Sequence, residues 1–490
     1  MTIAALAPET RNLIDGELVG ASHGNVFENL DPTTEEVLGT AADGTREDAE
    51  RAVAAARRAF DETGWGEDPA FRSRCLRQLH EGLLEEKEQL RSIVVHEAGA
   101  PLSLTSYMHV DEPIEMVAYW ADLAGRYEYE QAMSDVSFLG RSQRRIMRRE
   151  PVGVVGAITP WNVPLYLNLT KIASALAAGN TCVLKPAPDT PWSGTHLGRI
   201  VVEKTDIPPG VLNIVASSDH LVGEVLSSDP RIDAVSFTGS TRTGRRIMAC
   251  AADSVKKVFL ELGGKSATIL LDDADFAAVC PAAAMTCVHG GQGCAISTRW
   301  LVPRSRHDEA VEVIRSAFEA WRHGDPKRPE NLQGPQISRL QQERVLDFIE
   351  RGKREGARCL VGGGRPEGKG FFVEPTLFTD VEPKMTIAQE EIFGPVLCVI
   401  PYSDEEEAIR IANDSPYGLS GGIHSGDEER ALRVARRIRT GTLSVNGGQW
   451  FHVDTPFGGY KQSGVGRENG VMGFEELLET KVIALPGSER

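Results

Sequence analysis

The chain is short of positive charge. Lys plus Arg number 53 against 70 Asp plus Glu in 490 residues, a formal charge of −17. Nucleic acid and anionic membranes both need a basic footprint, so neither is expected as the main partner. Long hydrophobic runs are missing as well. No stretch approaches the roughly 18 apolar residues that cross a bilayer, and residues 172–178 have the length of buried helix. Residues 1–12 show neither a basic start nor an apolar core of signal-peptide length, so no leader is expected there. Cysteine is sparse: eight residues, at 75, 182, 250, 280, 287, 294, 359 and 398, with no C-x-x-C pair. That argues against a disulfide framework and for reduced thiols in a cytoplasm. Cys280, Cys287 and Cys294 recur every seven residues. However, Gly290, Gly291 and Gly293 are expected to end any helix before Cys294, and no paired His completes a ligand set, so no metal is expected. The pattern G-x-G-x-x-G occurs nowhere, so the ordinary dinucleotide fingerprint is absent.

What remains is ordinary globular material, 41% hydrophobic and 25% charged, long enough for two or three domains. Strand-like and helix-like segments alternate, the mark of βαβ units around a mostly parallel sheet. Residues 41–60 read as a surface helix, with Ala49, Val53, Ala56 and Phe60 on one face. Residues 152–159 read as a buried strand, followed by Pro160, Trp161, Asn162 and a helix through 171–178. A strand over 181–185, a helix over 192–205 and strands over 211–216 and 234–238 complete a nucleotide-binding type of half-sheet. A second alternating series starts near Phe259 and runs to about residue 450. Residues 136–150 resemble a hairpin whose five Arg suit a solvated or subunit-bridging ribbon better than an anion patch.

Four local patterns can carry chemistry. In Leu260-Glu-Leu-Gly-Gly-Lys-Ser266, Glu261 sits between apolar neighbours, where a carboxylate acquires a raised pKa and the properties of a general base. A strand-end Glu paired to an Arg is the alternative. In Gly290-Gly-Gln-Gly-Cys294, a thiol follows a glycine-rich turn that lets backbone approach a ligand; the alternative is a buried structural Cys. Asn162, after the strand 152–159, is placed either to donate to an oxyanion or to cap the next helix. Phe237-Thr-Gly-Ser-Thr-Arg-Thr-Gly244 follows a strand and opens a helix, so its N–H groups and the Ser240 hydroxyl suit a phosphate.

In this order, these residues resemble the aldehyde dehydrogenase superfamily over nearly the whole chain. TPWN (159–162), KPAP (185–188), FTGSTRTG (237–244), LELGGKS (260–266) and GQGC (291–294) carry the resemblance. EEIFGPV (390–396), PYGLSGG (416–422) and PFGGYKQSGVGRE (456–468) extend it. It implies an α/β fold with three parts. These are a variant Rossmann dinucleotide domain (1–127 and 150–262), an α/β catalytic domain (263–461), and a small bridging sheet (128–149 and 462–490) that joins a homodimer or homotetramer.

The resemblance further implies that Cys294 adds to an aldehyde and that the Asn162 amide with the Cys294 N–H stabilises the thiohemiacetal oxyanion. Hydride passes to NAD(P)+, and Glu261 activates water to hydrolyse the thioester, with Lys171 and Glu468 as a proton relay behind it. Lys185 and Pro188 would border the adenosine ribose, and Gly239, Ser240 and Gly244 the pyrophosphate. Ile158, Thr159, Pro160, Trp161 and Leu262 would line the dinucleotide's path, and Glu391 with Phe393 would lie around the nicotinamide ribose. Two positions depart from the family pattern. Pro188 stands where many NAD-preferring members carry an acidic residue, so NAD is expected and NADP stays open. His289 stands where Asn is frequent.

Val163, Tyr166, Thr170, Gly293, Ala295, Trp450 and Phe451 flank the reacting groups. They suit a roomy apolar slot for medium-to-large apolar or aromatic aldehydes; the alternative is that these side chains merely pack against each other. Rival readings are a CoA-acylating semialdehyde dehydrogenase, which generally lacks the base that Glu261 represents, and a cofactor-free thioesterase, which leaves Lys185, Ser240 and Glu391 without a task.

Overall fold

The computed structural model describes residues 4–487. Two parallel-rich sheets dominate. The first has eight strands, and its five parallel strands run in the spatial order Leu212–Ile214, Thr181–Lys185, Val154–Ile158, Ala234–Thr238, Lys257–Glu261. The chain winds outward from Val154–Ile158 in one direction, then returns to build the other. The carboxyl ends of Val154–Ile158 and Ala234–Thr238 therefore form a topological switch point, the usual ligand crevice of such sheets. Thr181–Lys185 and Ala234–Thr238 are buried along their whole length, as expected where helices cover both faces. Asn12–Ile14 and Glu17–Val19 finish one edge, and residues 464–465 pair antiparallel to Lys257–Glu261 at the other.

The second sheet has seven strands, centred on Val396–Tyr402, Ser297–Pro303, Ser266–Leu270 and Gly421–His424, all parallel. A three-stranded antiparallel sheet stands apart, with Arg141–Pro151 between Glu130–Phe138 and Leu478–Pro486. Arg148 lies between Glu130 and Glu150 at 2.7 and 3.0 Å, so this ribbon pairs its guanidinium groups locally.

Several expected boundaries move. The segment 41–60 is not helical throughout. The strand Glu36–Ala42 runs into it, and the helix is Arg46–Glu62, started by Thr45 and Asp48, each of whose side chains accepts the other's backbone N–H. The second series starts at Ser266–Leu270 rather than near Phe259. Lys257–Glu261 belongs to the first sheet, and Gly263 and Gly264 carry the chain across. The hairpin runs from Glu130 to Pro151, wider than the expected 136–150, and Leu478–Pro486 pairs along its second strand to the end. Residues 464–465 join the first sheet instead of the bridging one, since their partner is the exposed side of Lys257–Glu261. Among the described residues, no helix is long and apolar enough to cross a membrane.

Candidate active site

Three side chains from separate elements meet between the sheets. Asn162 lies in the turn after Val154–Ile158, Glu261 ends the strand Lys257–Glu261, and Cys294 follows the 3₁₀ segment Cys280–Gly291. Within that segment Val288, His289 and Gly290 leave helical dihedrals, which frees the backbone to turn toward Cys294. Cys280 and Cys287 stay behind in the core, so the seven-residue spacing is not one continuous face. Asn162, Glu261 and Cys294 all line one cavity of about 180 Å³, with Glu391 and Phe393 opposite. Gly264 allows this approach: a Cβ there would stand 2.4 Å from the Cys294 carbonyl oxygen.

Each open alternative from the sequence has an answer. Asn162 caps nothing: the helix Pro164–Ala178 is preceded by Val163 without a side-chain cap, and the Asn162 amide donates to the Gln292 carbonyl at 3.0 Å. Among the described residues, Glu261 has no ion pair, and its Oε2 has no hydrogen-bond partner. Burial first, then the charge of Glu468, holds its carboxyl well above the usual range, while Lys171 and Arg467 oppose them. Lys171 donates to Ser236 Oγ at 2.8 Å and to Glu468 Oε1 at 2.5 Å, so the pair stands behind the base within the range of its charge.

Burial, then the charges of Glu261 and Glu391, push the Cys294 thiol up to about 12, against the lowering effect of the Ala295 and Cys294 N–H groups. The resting sulfur is therefore a thiol at neutral pH. Iodoacetamide should modify Cys294 slowly at pH 7, with the rate climbing about tenfold per pH unit up to pH 9. Peptide mapping after timed quenches measures it, and a plateau below pH 8 would mean that burial does not govern this sulfur.

The cavity opens into a cleft of about 630 Å³ bordered by Ile158, Thr159, Lys185, Pro188 and Gly239. Pro160 and Trp161 line both spaces, Ser240 and Leu262 the inner one. Ser240 caps the helix Thr241–Ala251, accepting from Thr243 N at 3.2 Å. Lys185 is buried, with two long contacts of 3.3 Å to the Pro186 and Ser217 carbonyls; desolvation lowers its pKa to about 8. Glu391 accepts from Gly264 N at 2.9 Å, and Phe393, in left-handed backbone, packs edge-on to Trp161 at 5.4 Å. Gly244 lines neither space. A Cβ there would meet the Leu262 side chain at 2.7 Å, so its glycine serves helix-to-strand packing.

None of the seven expected pocket residues lines the cavity or the cleft; among them, the Tyr166 and Phe451 rings lie 5.4 Å apart, with Trp450 edge-on to Phe451 at 5.9 Å. The Thr170 hydroxyl donates to the Tyr166 carbonyl at 2.8 Å, and Val163 is buried. Gly293 makes room for Ile296, whose side chain fills the position of a Cβ within 2.7 Å. Ala295 adjoins Cys294 and is half-buried.

Sequence reasoning passed over several neighbours. Gln292 lies inside the GQGC motif and ties three segments, donating to the His289 and Pro335 carbonyls and accepting from Ile337 N. Gln341 and Arg344 line the inner cavity from far along the chain, Phe457 stacks on Trp450 at 5.6 Å, and Asn469 donates to the Tyr166 hydroxyl at 3.2 Å. Only Gln292 and Phe457 had a signal, their place inside recognised motifs.

Known proteins share this arrangement as a whole. The model of the aldehyde dehydrogenase family matches residues 19–483. A 3-succinoylsemialdehyde-pyridine dehydrogenase of a Pseudomonas species is 43% identical over 96% of this chain and 97% of its own. The crystal structure of a Mycobacterium tuberculosis aldehyde dehydrogenase complexed with NAD+ superposes with a TM-score of 0.94 at 42% identity, covering 98% and 99% of the two chains. A Pseudomonas syringae aldehyde dehydrogenase C, a cysteine-to-alanine mutant complexed with NAD+ and octanal, gives 0.92 at 40% identity over 98% of each chain. With a thiol, an amide and a buried carboxylate around one cavity, and with matches that span nearly the full length, the chain belongs to the aldehyde dehydrogenase family.

Proposed function

We propose that this protein oxidises an aldehyde to the carboxylic acid with NAD, through covalent catalysis at Cys294. The observation that carries the reading is the single cavity on which Cys294, Asn162 and Glu261 converge, open to a cleft at the switch point of the first sheet. The first sheet with its helices is the dinucleotide domain, the second the catalytic domain.

The cleft suits a dinucleotide: it lies at strand carboxyl ends, beside a helix N-terminus, with a Lys185 ammonium that makes two long bonds of 3.3 Å to the Pro186 and Ser217 carbonyls. Lys185 would meet the adenosine ribose, Ser240 and Gly239 the pyrophosphate, and Glu391 the nicotinamide ribose. When bound, the dinucleotide supplies the acceptor for the hydrogen and two electrons that leave the substrate carbon.

The chain's own residues do the rest. As the Cys294 thiol passes its proton to the Glu261 carboxylate, the sulfur forms a C–S bond to the carbonyl carbon, and the oxygen takes up the negative charge. Asn162 has a second amide hydrogen beyond the one held by Gln292, and with the Cys294 N–H it donates to that oxygen. After oxidation the carbon is a thioester. Glu261 takes a proton from water, the resulting hydroxide adds to the thioester carbon, the C–S bond breaks, and the acid departs. A buried carboxyl with raised affinity for protons is suited to taking one from water. Lys171 and Glu468, hydrogen-bonded behind it, offer a path for the proton.

The aromatic wall of Tyr166, Phe451 and Trp450 supports a medium-to-large apolar or aromatic aldehyde. Tyr166 also lies within the charge of Glu468 and Glu112, an acidic setting that repels a carboxylate tail. A relative crystallised with octanal is in keeping with this. Pro188 borders the cleft without a carboxylate, whereas Asp189 turns to a neighbouring groove. A panel of benzaldehyde, octanal and succinate semialdehyde, each with NAD and NADP, tests the reading by absorbance at the reduced nicotinamide band. Octanal or benzaldehyde should lead in kcat/KM, with NAD preferred and NADP measurable. A lead for the semialdehyde would overturn the substrate class.

The proposal includes a homodimer or homotetramer built on the three-stranded sheet, whose outer strands leave edges unpaired and Phe138 and Val482 exposed. It also includes a cytoplasmic setting, since all eight cysteines are free thiols.

A further inference from the structure

We propose that His289 is a positioning residue for aldehyde oxidation: its ring holds the Asn162 backbone, and thereby aims the Asn162 amide at the nascent oxyanion. The proposal rests on the role given above to Asn162.

Asn162 lies outside the helix Pro164–Ala178, whose first acceptor is the Val163 carbonyl, bonded by Leu167 N at 3.0 Å. The Asn162 carbonyl is met instead by His289 Nε2 at 2.7 Å. A carbonyl can only accept, so Nε2 carries the hydrogen and the ring is fixed in one tautomer. Three bonds then close a circuit. His289 donates to the Asn162 carbonyl, the Asn162 amide donates to the Gln292 carbonyl at 3.0 Å, and Gln292 Nε2 donates back to the His289 carbonyl at 3.0 Å. Cys294 follows two residues after Gln292. The amide and the sulfur are thus tied to one framework, which is what a preorganised oxyanion site requires.

The ring's other side supports a directed role. His289 Nδ1 has no partner, and neither nitrogen of His109 has one. The two buried rings meet edge to face at 4.6 Å. A residue there only to fill space would be better apolar, since burial of an unpaired ring nitrogen is unfavourable. Among the described residues, the bond to Asn162 is the one hydrogen bond this ring makes. Burial also depresses the His289 pKa to about 4, so the ring stays neutral and its hydrogen stays on Nε2 through the working pH range. The backbone at His289 is left-handed, φ 50°, a conformation that Asn tolerates and that glycine adopts freely. An Asn at this position keeps both the backbone and a donor, which accounts for the chemistry shared by the two residue types.

The test is a double-mutant cycle in the full-length enzyme, with kcat and KM for octanal and NAD and with Tm recorded alongside. His289→Gly removes the donor without backbone strain and should lower kcat about 10- to 100-fold, with KM changed less than about threefold. His289→Asn should recover most of the loss. In an Asn162→Ala background, His289→Gly should lower kcat by less than about twofold further, because its target is gone. Equal losses in both backgrounds, a kcat for His289→Gly within about twofold of wild type, or an Asn variant no better than glycine would each overturn the proposal. Should the glycine variant fail to fold, His289→Ala runs the same cycle. An Asn162→Ala enzyme with undiminished kcat would instead overturn the oxyanion role itself; loss there without loss in His289→Gly would overturn only the role of His289.

Discussion

Cys294→Ala is expected to abolish aldehyde oxidation, lowering kcat/KM by about 10⁴-fold or more, while NAD affinity stays within about twofold. The asymmetry follows from where the sulfur sits. It lines the inner cavity with Asn162 and Glu261, whereas Lys185, Pro188 and Thr159 border the separate, larger cleft. Among the described residues that line the cavity, Cys294 carries the one thiol, so its removal takes away the proposed nucleophile and leaves the cleft's groups untouched. No neighbouring thiol can replace it. Cys287 is fully buried and directed at the Pro395 carbonyl at 3.8 Å, and Cys280 is packed in the core beneath the second sheet. Absorbance at the reduced nicotinamide band gives the rate, and titration calorimetry gives the affinity. Oxidation surviving at a tenth of the wild-type rate would mean that the covalent route is wrong.

Glu261→Gln should stall the enzyme after its first oxidation. One equivalent of reduced nicotinamide is expected per active site in a rapid burst, followed by turnover slowed about 10²- to 10⁴-fold, with the acyl group retained on Cys294 and visible by intact mass. Burial and the nearby Glu468 charge raise the proton affinity of Glu261, so below its folded pKa the group is protonated and inactive as a base. Deacylation by the wild type should therefore rise with pH through that raised value and then level off; Glu261→Gln should show no such rise. Glutamine keeps the shape of the buried side chain, so the fold is not expected to suffer. Normal multiple turnover by this variant would remove Glu261 from the role of base.

Much of this was legible before any coordinates. Strands such as Ala234–Thr238 and Thr181–Lys185 read correctly because a parallel strand covered on both faces is a short apolar run with polar or glycine borders. Cys294, Glu261 and Asn162 were visible because each sits in a compact motif where glycine or a strand end brings backbone close to a ligand. The helix at Arg46–Glu62 was misplaced at its start because a capping residue, Thr45, outweighs the apolar periodicity that continues upstream into a strand. Gly244 misled for a related reason. A glycine near a helix start is read as a phosphate contact, yet here it admits the Leu262 side chain, a neighbour 18 residues away that no local pattern reveals.

The amino-acid order by itself determined the α/β alternation, the family and the three side chains proposed to react, since these are encoded in short contiguous stretches whose chemistry is local. Tertiary structure alone decided what each group experiences. Glu261 owes its raised proton affinity to burial first and then to Glu468, Cys294 its reluctance to ionise to burial and then to Glu261 and Glu391, and Asn162 its anchoring to His289. Those partners are separated by about a hundred residues or more, and electrostatics and hydrogen bonding depend on distance in space, which sequence separation does not report.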